Sequence, residues 1–269
     1  MNLDLSAIPS LPGIYRFFDN QNILIYVGKA KSLRRRLSQY KNAKRRKKHR
    51  KMRKILEQSA KLDIEVCQSD LEAQILEAQI IQSHRPKWNV AGAFYFLYPM
   101  VGMKEEDGMT SFIYTTQPEY FSKDCFEFHG AFRSREMTLE AYFSLMEILK
   151  YIGHSVPKKR TAKLLIPKFS YVYEFRQLPD RWGPLWCDFW QGRSRQLLEE
   201  IVLELLENAG ARHRSQEIQE LIRKLMRFWK HEASRLWEVR KKTNSSEYPV
   251  SQKNRDILFL KYRGTLRIK

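Results

Sequence analysis

"GIYRFFDNQNILIYVG", residues 13–28, holds two short apolar runs around a polar bend. Gly13–Phe18 and Ile23–Gly28 are rich in β-branched and aromatic residues, and Asp19-Asn20-Gln21-Asn22 between them has turn composition, so the stretch reads as a β-hairpin. With the loop at Asp19–Asn22, residues whose numbers sum to 41 face each other. Tyr15 then pairs with Tyr26 and Gly13 with Gly28. Opposite residues share a face with Cβ atoms about 5 Å apart, so two phenols stand side by side on a rigid ribbon. Packing alone also accounts for such a pair, since cross-strand aromatics stabilise a sheet by about 0.5–1 kcal/mol.

Outward from the hairpin, Pro9 and Pro12 mark an entry loop. Ser32 caps a helix to about Tyr40, and the basic run beyond it continues helically to Glu57. LDIEVCQ, residues 62–68, alternates apolar and polar as a third strand. Ser69-Asp70-Leu71-Glu72 is a capping box opening a helix over 70–84, which stops before Arg85-Pro86. These elements predict an α/β domain over 1–95, a three-stranded antiparallel sheet flanked by helices. A mixed α/β extension follows over 96–193, with strands at Ser111–Thr116 and Glu127–Gly130 and a helix at Thr138–Ile152. Residues 153–193, rich in Pro, Trp and basic residues, read as irregular. Residues 194–269 form a mostly helical C-terminal region, with a helix pair over 194–242 turned near Gly210.

The 269 residues include 49 Lys+Arg and 30 Asp+Glu, for a net charge of +19. Residues 41–54, KNAKRRKKHRKMRK, hold ten of the cations and no acid. So dense a run points to a polyanion, nucleic acid first, through Lys41, Lys44, Arg45, Arg46, Lys47, Lys48, Arg50 and Lys51. A solvated basic face or an address signal has the same composition. The run supplies salt-dependent affinity and no chemistry. No stretch reaches the roughly 18–20 apolar residues of a membrane span, and the N-terminus lacks the basic-then-apolar order of a secretion signal. Three scattered cysteines, Cys67, Cys125 and Cys187, fit reduced thiols in a cytoplasm. Neither a Walker motif nor a Gly-rich nucleotide loop is present, so no ATP hydrolysis is expected.

The candidate chemistry gathers around the hairpin. Lys29 follows Gly28 at the strand exit. Arg36 and Tyr40, four apart, share one face of the next helix. On the helix from Leu71, Glu72, Gln79 and Ser83 make a polar stripe, and Glu77 lies about 140° from it, between Ala73 and Ile81. A carboxylate turned inward needs a partner, either a cation from the protein or a bound metal.

Gly13-Ile14-Tyr15 followed by Tyr26-Val27-Gly28-Lys29 resembles the signature of the GIY-YIG endonucleases, with Val27 in place of the second isoleucine. YVGKAKSLRRRLSQY (26–40) and LEAQILEAQIIQSHRPKWNV (71–90) are similar to the corresponding segments of the UvrC-type excinuclease subunit. The resemblance is specific over 11–90 and weaker through HGAFRSREMTLEAYFSLMEIL (129–149) and the helices of 190–240. It implies functional roles for Tyr15, Tyr26, Lys29, Arg36, Tyr40, Glu77 and Asn89, with none replaced. Asn89 rests on the resemblance alone, because after Lys-Trp an Asn reads as a turn residue.

The resemblance further implies phosphodiester cleavage with one divalent metal, Mg²⁺ or Mn²⁺, held by Glu77, and no covalent intermediate. Arg36 would neutralise the phosphorane. Tyr26 would take the proton from the attacking water, with Tyr15 in support and Lys29, a neighbouring phenol and metal-bound water lowering the phenol's pKa. Tyr40 would bind the phosphate or orient Arg36. Damaged double-stranded DNA is the implied substrate. Full UvrC subunits carry a second nuclease and helix-hairpin-helix modules absent here, so at most one kind of cut is expected. The family's cysteine cluster is reduced to Cys187 in LPDRWGPLWCDFWQG (178–192), and no iron–sulfur cluster is expected. The helices from Ser194 resemble the segment that meets UvrB, and two ordinary packing helices would look the same. A short chain with the first nuclease half resembles the Cho-type UvrC homologues, implying the 3′-side incision in excision repair. A GIY-YIG nuclease of a mobile element or phage, cutting undamaged DNA, shares every one of these residues. A non-cleaving basic DNA-binding module shares the charge.

Overall fold

The computed structural model describes residues 4–43, 47–90, 93–121, 125–157 and 166–265, without the side chains of Lys48 and Tyr95. The chain divides into two units, Met1–Tyr95 with Asp256–Lys269, and Phe96–Arg255.

In the first unit β1 (Gly13–Phe18) is the central strand of a three-stranded antiparallel sheet, between β2 (Leu24–Ala30) and β3 (Lys61–Val66). Helix α1 (Leu33–Lys41) and helix α2 (Arg50–Gln58) bury Leu33, Leu37, Tyr40 and Ile55 with Tyr15, Phe17 and Ile25. Helix α3 (Asp70–His84) buries Ala73, Ile80 and Ile81 with Ile14 and Val27. Strand alternation thus sends Tyr15 to one side of β1 and Ile14 to the other, and both faces of the sheet are covered. Ser69 caps α3 by accepting from the Glu72 N–H at 3.1 Å, and Glu72 accepts from the Gln68 N–H at 2.6 Å. Gly264 lies against Leu71 of the same unit.

The hairpin register differs from the expected one. Tyr15 pairs with Gly28, Phe17 with Tyr26 and Gly13 with Ala30. The Asp19 carboxylate accepts from the backbones of Gln21 and Ile23, both at 2.9 Å, and Asn22 turns at φ 61°, so the bend runs one residue further, to Ile23. A bulge between Phe17 and Phe18 adds the second residue of shift. A shift of two keeps every side chain on its face. Tyr15 and Tyr26 are therefore diagonal neighbours, with ring centroids 6.1 Å apart.

The basic run is not one helix. Helix α1 ends at Lys41, capped by Asn42, and α2 begins anew at Arg50 after a turn of 3₁₀ helix at Lys47–His49. Like charges four apart, such as Lys47 and Lys51, oppose a continuous helix.

The second unit is built on a five-stranded antiparallel sheet in the order β6-β4-β5-β8-β7. Its strands are β4 (Met100–Glu106), β5 (Met109–Thr115), β6 (Glu127–Gly130), β7 (His154–Ser155) and β8 (Tyr171–Arg176). Among the described residues its helices are α4 (Arg135–Leu149), α5 (Gly183–Gln191), α6 (Gln196–Glu207), α7 (Ala209–His213), α8 (Ser215–Phe228) and α9 (Ser234–Lys242), with a π-helical stretch at Trp229–Ala233. Helix α10 (Gln252–Thr265) ends the described chain. Segment 153–193, expected to be irregular, contains β7, β8 and α5. Pro184 sits in the first turn of α5, where its missing N–H leaves no helical bond unmade, and Trp182, Trp186 and Trp190, spaced by four, are buried together. Residues 96–193 and 194–255 share this one unit, and the expected helix pair over 194–242 is α6 to α9, turned at α7. Among the described residues no helix is long and apolar enough to cross a membrane.

Candidate active site

The structure brings Tyr15, Tyr26, Arg36 and Tyr40 into one cluster. Tyr15 and Tyr40 are almost fully buried, and Tyr26 is half-buried at their edge. The Tyr15 ring lies 5.7 Å from Tyr40, and their hydroxyls are 3.5 Å apart. Arg36 donates from Nε to the Tyr15 hydroxyl at 3.0 Å and from Nη1 to Gln39 at 2.8 Å, with its guanidinium 5.5 Å from the Tyr40 ring centre. One turn of α1 separates Arg36 from Tyr40, as their spacing requires, and Gln39 joins them as a residue the sequence pattern did not single out.

Both signature glycines stand where a side chain would collide. A Cβ on Gly28 would fall 2.5 Å from Cζ of Tyr15 and closer still to its hydroxyl, because the ring lies across its cross-strand partner. A Cβ on Gly13 would meet the Glu65 carbonyl oxygen of β3 and would lie 2.8 Å from Leu33. The tyrosine and glycine of the two runs are thus one packing unit: the flat residue makes room for the ring.

The outward edge of β2 is occupied at every second residue. The Ile25 carbonyl accepts from the Trp88 N–H at 2.9 Å. Val27 is held twice by Asn89, its N–H donating to Oδ1 and its carbonyl accepting from Nδ2, both at 2.9 Å. The Lys29 N–H donates to Glu77 Oε1 at 3.1 Å. Asn89 and Glu77 therefore grip the strand that carries Tyr26.

Lys29 does not face the phenols. It lies on the α3 side of β2, where its ammonium pairs with Asp70 Oδ1 at 2.8 Å. The cation found over the Tyr26 ring is Lys51 of α2, 5.2 Å from its centre. At the supporting phenol, Tyr15, burial first and the neighbouring Tyr26 second push the pKa up and outweigh Arg36. Burial, then Tyr15, raises Tyr40 as well. Both are held as neutral phenols, suited to passing or orienting a hydrogen bond. Burial also raises the Glu77 carboxyl, against the Lys29 N–H, the Lys29 charge and Arg36. Among the described residues no cation lies within ion-pair distance of Glu77, so its charge is only partly compensated. A divalent cation is the group that such a carboxylate accommodates.

Of the expected DNA-contacting residues, Lys41, Lys47, Arg50 and Lys51 are exposed. Lys44, Arg45 and Arg46 and the Lys48 side chain lie outside the described residues.

A small three-stranded sheet bearing this tyrosine–arginine cluster and one half-buried carboxylate defines a GIY-YIG domain. The family model for the UvrC-like GIY-YIG domain matches residues 11–90, so this segment of the chain is a UvrC-like GIY-YIG domain. UvrABC system protein C of Pseudothermotoga lettingae is 40% identical over 98 residues, 36% of this chain and 18% of that protein. The corresponding protein of Actinobacillus pleuropneumoniae serotype 3 is 30% identical over 214 residues, 77% of this chain and 34% of the relative. The GIY-YIG N-terminal endonuclease domain of UvrC from Thermotoga maritima, solved with magnesium as its catalytic cation, is 38% identical; the match covers 32% of this chain and 91% of that one, with a TM-score of 0.29. The chain thus spans about a fifth to a third of the length of these two curated relatives.

Proposed function

We propose that the chain is a metal-dependent DNA endonuclease of the UvrC/Cho type, hydrolysing one phosphodiester bond on the 3′ side of a lesion in excision repair. The observation that carries the reading is the grouping of Tyr15, Tyr26, Tyr40 and Arg36 beside a strand whose next edge position holds the undercompensated carboxylate of Glu77.

Arg36 is positioned by Tyr15 and Gln39 and turns a planar cation toward a phosphate, where its fork stabilises charge on the phosphorane oxygens. Tyr26, half-buried and beside Lys51, takes the proton of the attacking water. Tyr15 and Tyr40 orient Arg36 and keep the phenol cluster in place. Asn89 acts as a positioning residue, fixing Val27 and with it the rotation of Tyr26 next to it. Glu77 would hold Mg²⁺ or Mn²⁺, and the bound ion supplies Lewis-acid stabilisation of the phosphate and the departing 3′ oxygen. The basic residues of α1 and α2, on the same side of the sheet as the phenols, attract a DNA duplex. UvrB is the partner that the repair role implies, and the cytoplasm is the matching compartment.

Nicking of supercoiled plasmid with Mg²⁺ or Mn²⁺ tests the proposal, using undamaged or UV-irradiated DNA, with and without UvrA and UvrB. Cutting confined to damaged DNA with partners, and lost in Glu77→Ala and Tyr26→Phe, is the expected result. Cutting of plain DNA by the protein alone would transfer the reading to a mobile-element nuclease. Salt-sensitive binding without any cut would leave a DNA-binding module.

A further inference from the structure

A second group of metal-binding side chains stands in the Phe96–Arg255 unit, outside the nuclease domain. Glu127 and His129 are two apart on β6 and so project from one face of that strand. Cys187 comes from α5. One ligand atom from each of the three lies within 4.8 Å of the others. Cys187 Sγ already donates to Glu127 Oε1 at 3.0 Å. His129 is completely buried; its Nδ1 is 2.8 Å from the Tyr248 hydroxyl, and its Nε2 has no hydrogen-bond partner. A buried ring nitrogen without a partner carries a desolvation cost that a ligand can remove. The same carboxylate and thiol open on a cleft of about 410 Å³, which Cys125 also lines.

We propose that Glu127, His129 and Cys187 form a Zn²⁺ site joining β6 to α5, with a fourth position open to the cleft. One thiolate, one imidazole and one carboxylate make a donor set that suits zinc, at about 2.0–2.3 Å from each atom. Tetrahedral ligands at those lengths are about 3.3–3.8 Å apart, so the present cluster needs only a small contraction. Tyr248 engages Nδ1 and Nε2 has no competing partner, so Nε2 is the nitrogen assigned to the metal here, with Tyr248 as the supporting hydrogen bond. On binding, the Cys187 thiol gives its proton to solvent, so each ion taken up releases one proton. Nothing in this site depends on the chemistry at Glu77.

The test uses the full chain carrying Glu77→Ala, so that the nuclease site does not contribute. After chelator treatment, Zn²⁺ is titrated against a colorimetric chelator, and Co²⁺ is used as a spectroscopic stand-in. One equivalent of Zn²⁺, proton release and a thiolate-to-cobalt charge-transfer band are expected. Cys187→Ser and Glu127→Gln, at partly exposed positions that leave the core intact, should each weaken Zn²⁺ by at least about 100-fold, and Tyr248→Phe by about tenfold. His129→Gln should abolish binding, with circular dichroism checking its fold. Absence of stoichiometric uptake, affinity unchanged in Cys187→Ser, or a cobalt complex without the sulfur band would each overturn the proposal.

Discussion

Replacing Gly28 by alanine adds one methyl group at the point where the two signature runs touch. That methyl carbon would stand 2.5 Å from Cζ of Tyr15, against the 3.4 Å at which ordinary contact begins. The ring must therefore retreat by roughly 0.9 Å, or the strands must part. Retreat is opposed on every side: Tyr15 is completely buried, with Phe17 at 5.9 Å and Tyr40 at 5.7 Å between ring centres. Overpacking of this kind costs about 1–3 kcal/mol. The hydroxyl that accepts from Arg36 moves with the ring, and displacement of a positioned group by about 1 Å lowers turnover by about 10²-fold. Denaturant unfolding and plasmid nicking would measure the two effects. A double-mutant cycle identifies their cause: in a Tyr15→Ala chain the ring is gone, and Gly28→Ala should lose most of its destabilising effect, giving a coupling of about 0.5–3 kcal/mol. Gly28→Ala with unchanged stability and cutting, or an effect equally large without the ring, would refute the idea that the glycine exists to seat the tyrosine.

Asn89→Ala removes both bonds to Val27 and should destabilise the domain by about 1–3 kcal/mol; faster exchange of the Val27 amide hydrogen, together with reduced cutting, would report it. Glu77→Gln keeps an oxygen for the Lys29 N–H but removes the charge. Because folding raises this carboxyl's pKa, its contribution to stability is complete below about pH 4.5 and declines as pH rises through the folded value. The variant should therefore gain stability over wild type as pH goes from 4 to 8 in chelator, and lose any stabilisation by Mg²⁺; unfolding curves at several pH values decide both. Lys29→Met breaks the Asp70 pair, partly exposed on both sides, and should cost no more than about 1 kcal/mol by denaturant unfolding. Removing Arg50 and Lys51 together should flatten the slope of log binding constant against log salt by about 2 if both touch phosphates, in a fluorescence anisotropy titration with duplex DNA.

Much of this domain was legible because its local signals are strong and agree. Ser69 with Glu72, the Pro86 stop and the alternation at 62–68 each placed an element to within two residues of its observed bounds. Hairpin register was not legible, since the Asp19 side chain lengthens the bend and a bulge follows; face survived because the shift was even. Alternation alone puts Lys29 on the face opposite the phenols, but its partner Asp70 was not legible until the N-terminus of α3 was placed beside it. Asn89 carries no sequence signal of its own, because an amide that clamps a strand edge looks like any turn asparagine until the strand is in place. In the second unit, β4 was missed because MVGMKEE does not alternate, and α5 because proline and tryptophan were taken as marks of irregular chain. His129 escaped notice for want of a motif: Glu-x-His meets its cysteine only across sixty residues of fold.

The strand that carries Tyr26 lies at the rim of its sheet, and rims recruit other strands. Here the backbone groups of Ile25, Val27 and Lys29 are taken by Trp88, Asn89 and Glu77, so part of the domain's own late sequence acts as a cover. A nascent chain has all three strands once residue 66 has emerged, yet the backbone groups of Ile25 and Val27 stay uncovered for another twenty-odd residues. In that interval the apolar face of the hairpin can pair with a second copy. Synthesis of Trp88 and Asn89 closes the interval. The cover of the rim is thereby completed by the residues that also hold β2 in place.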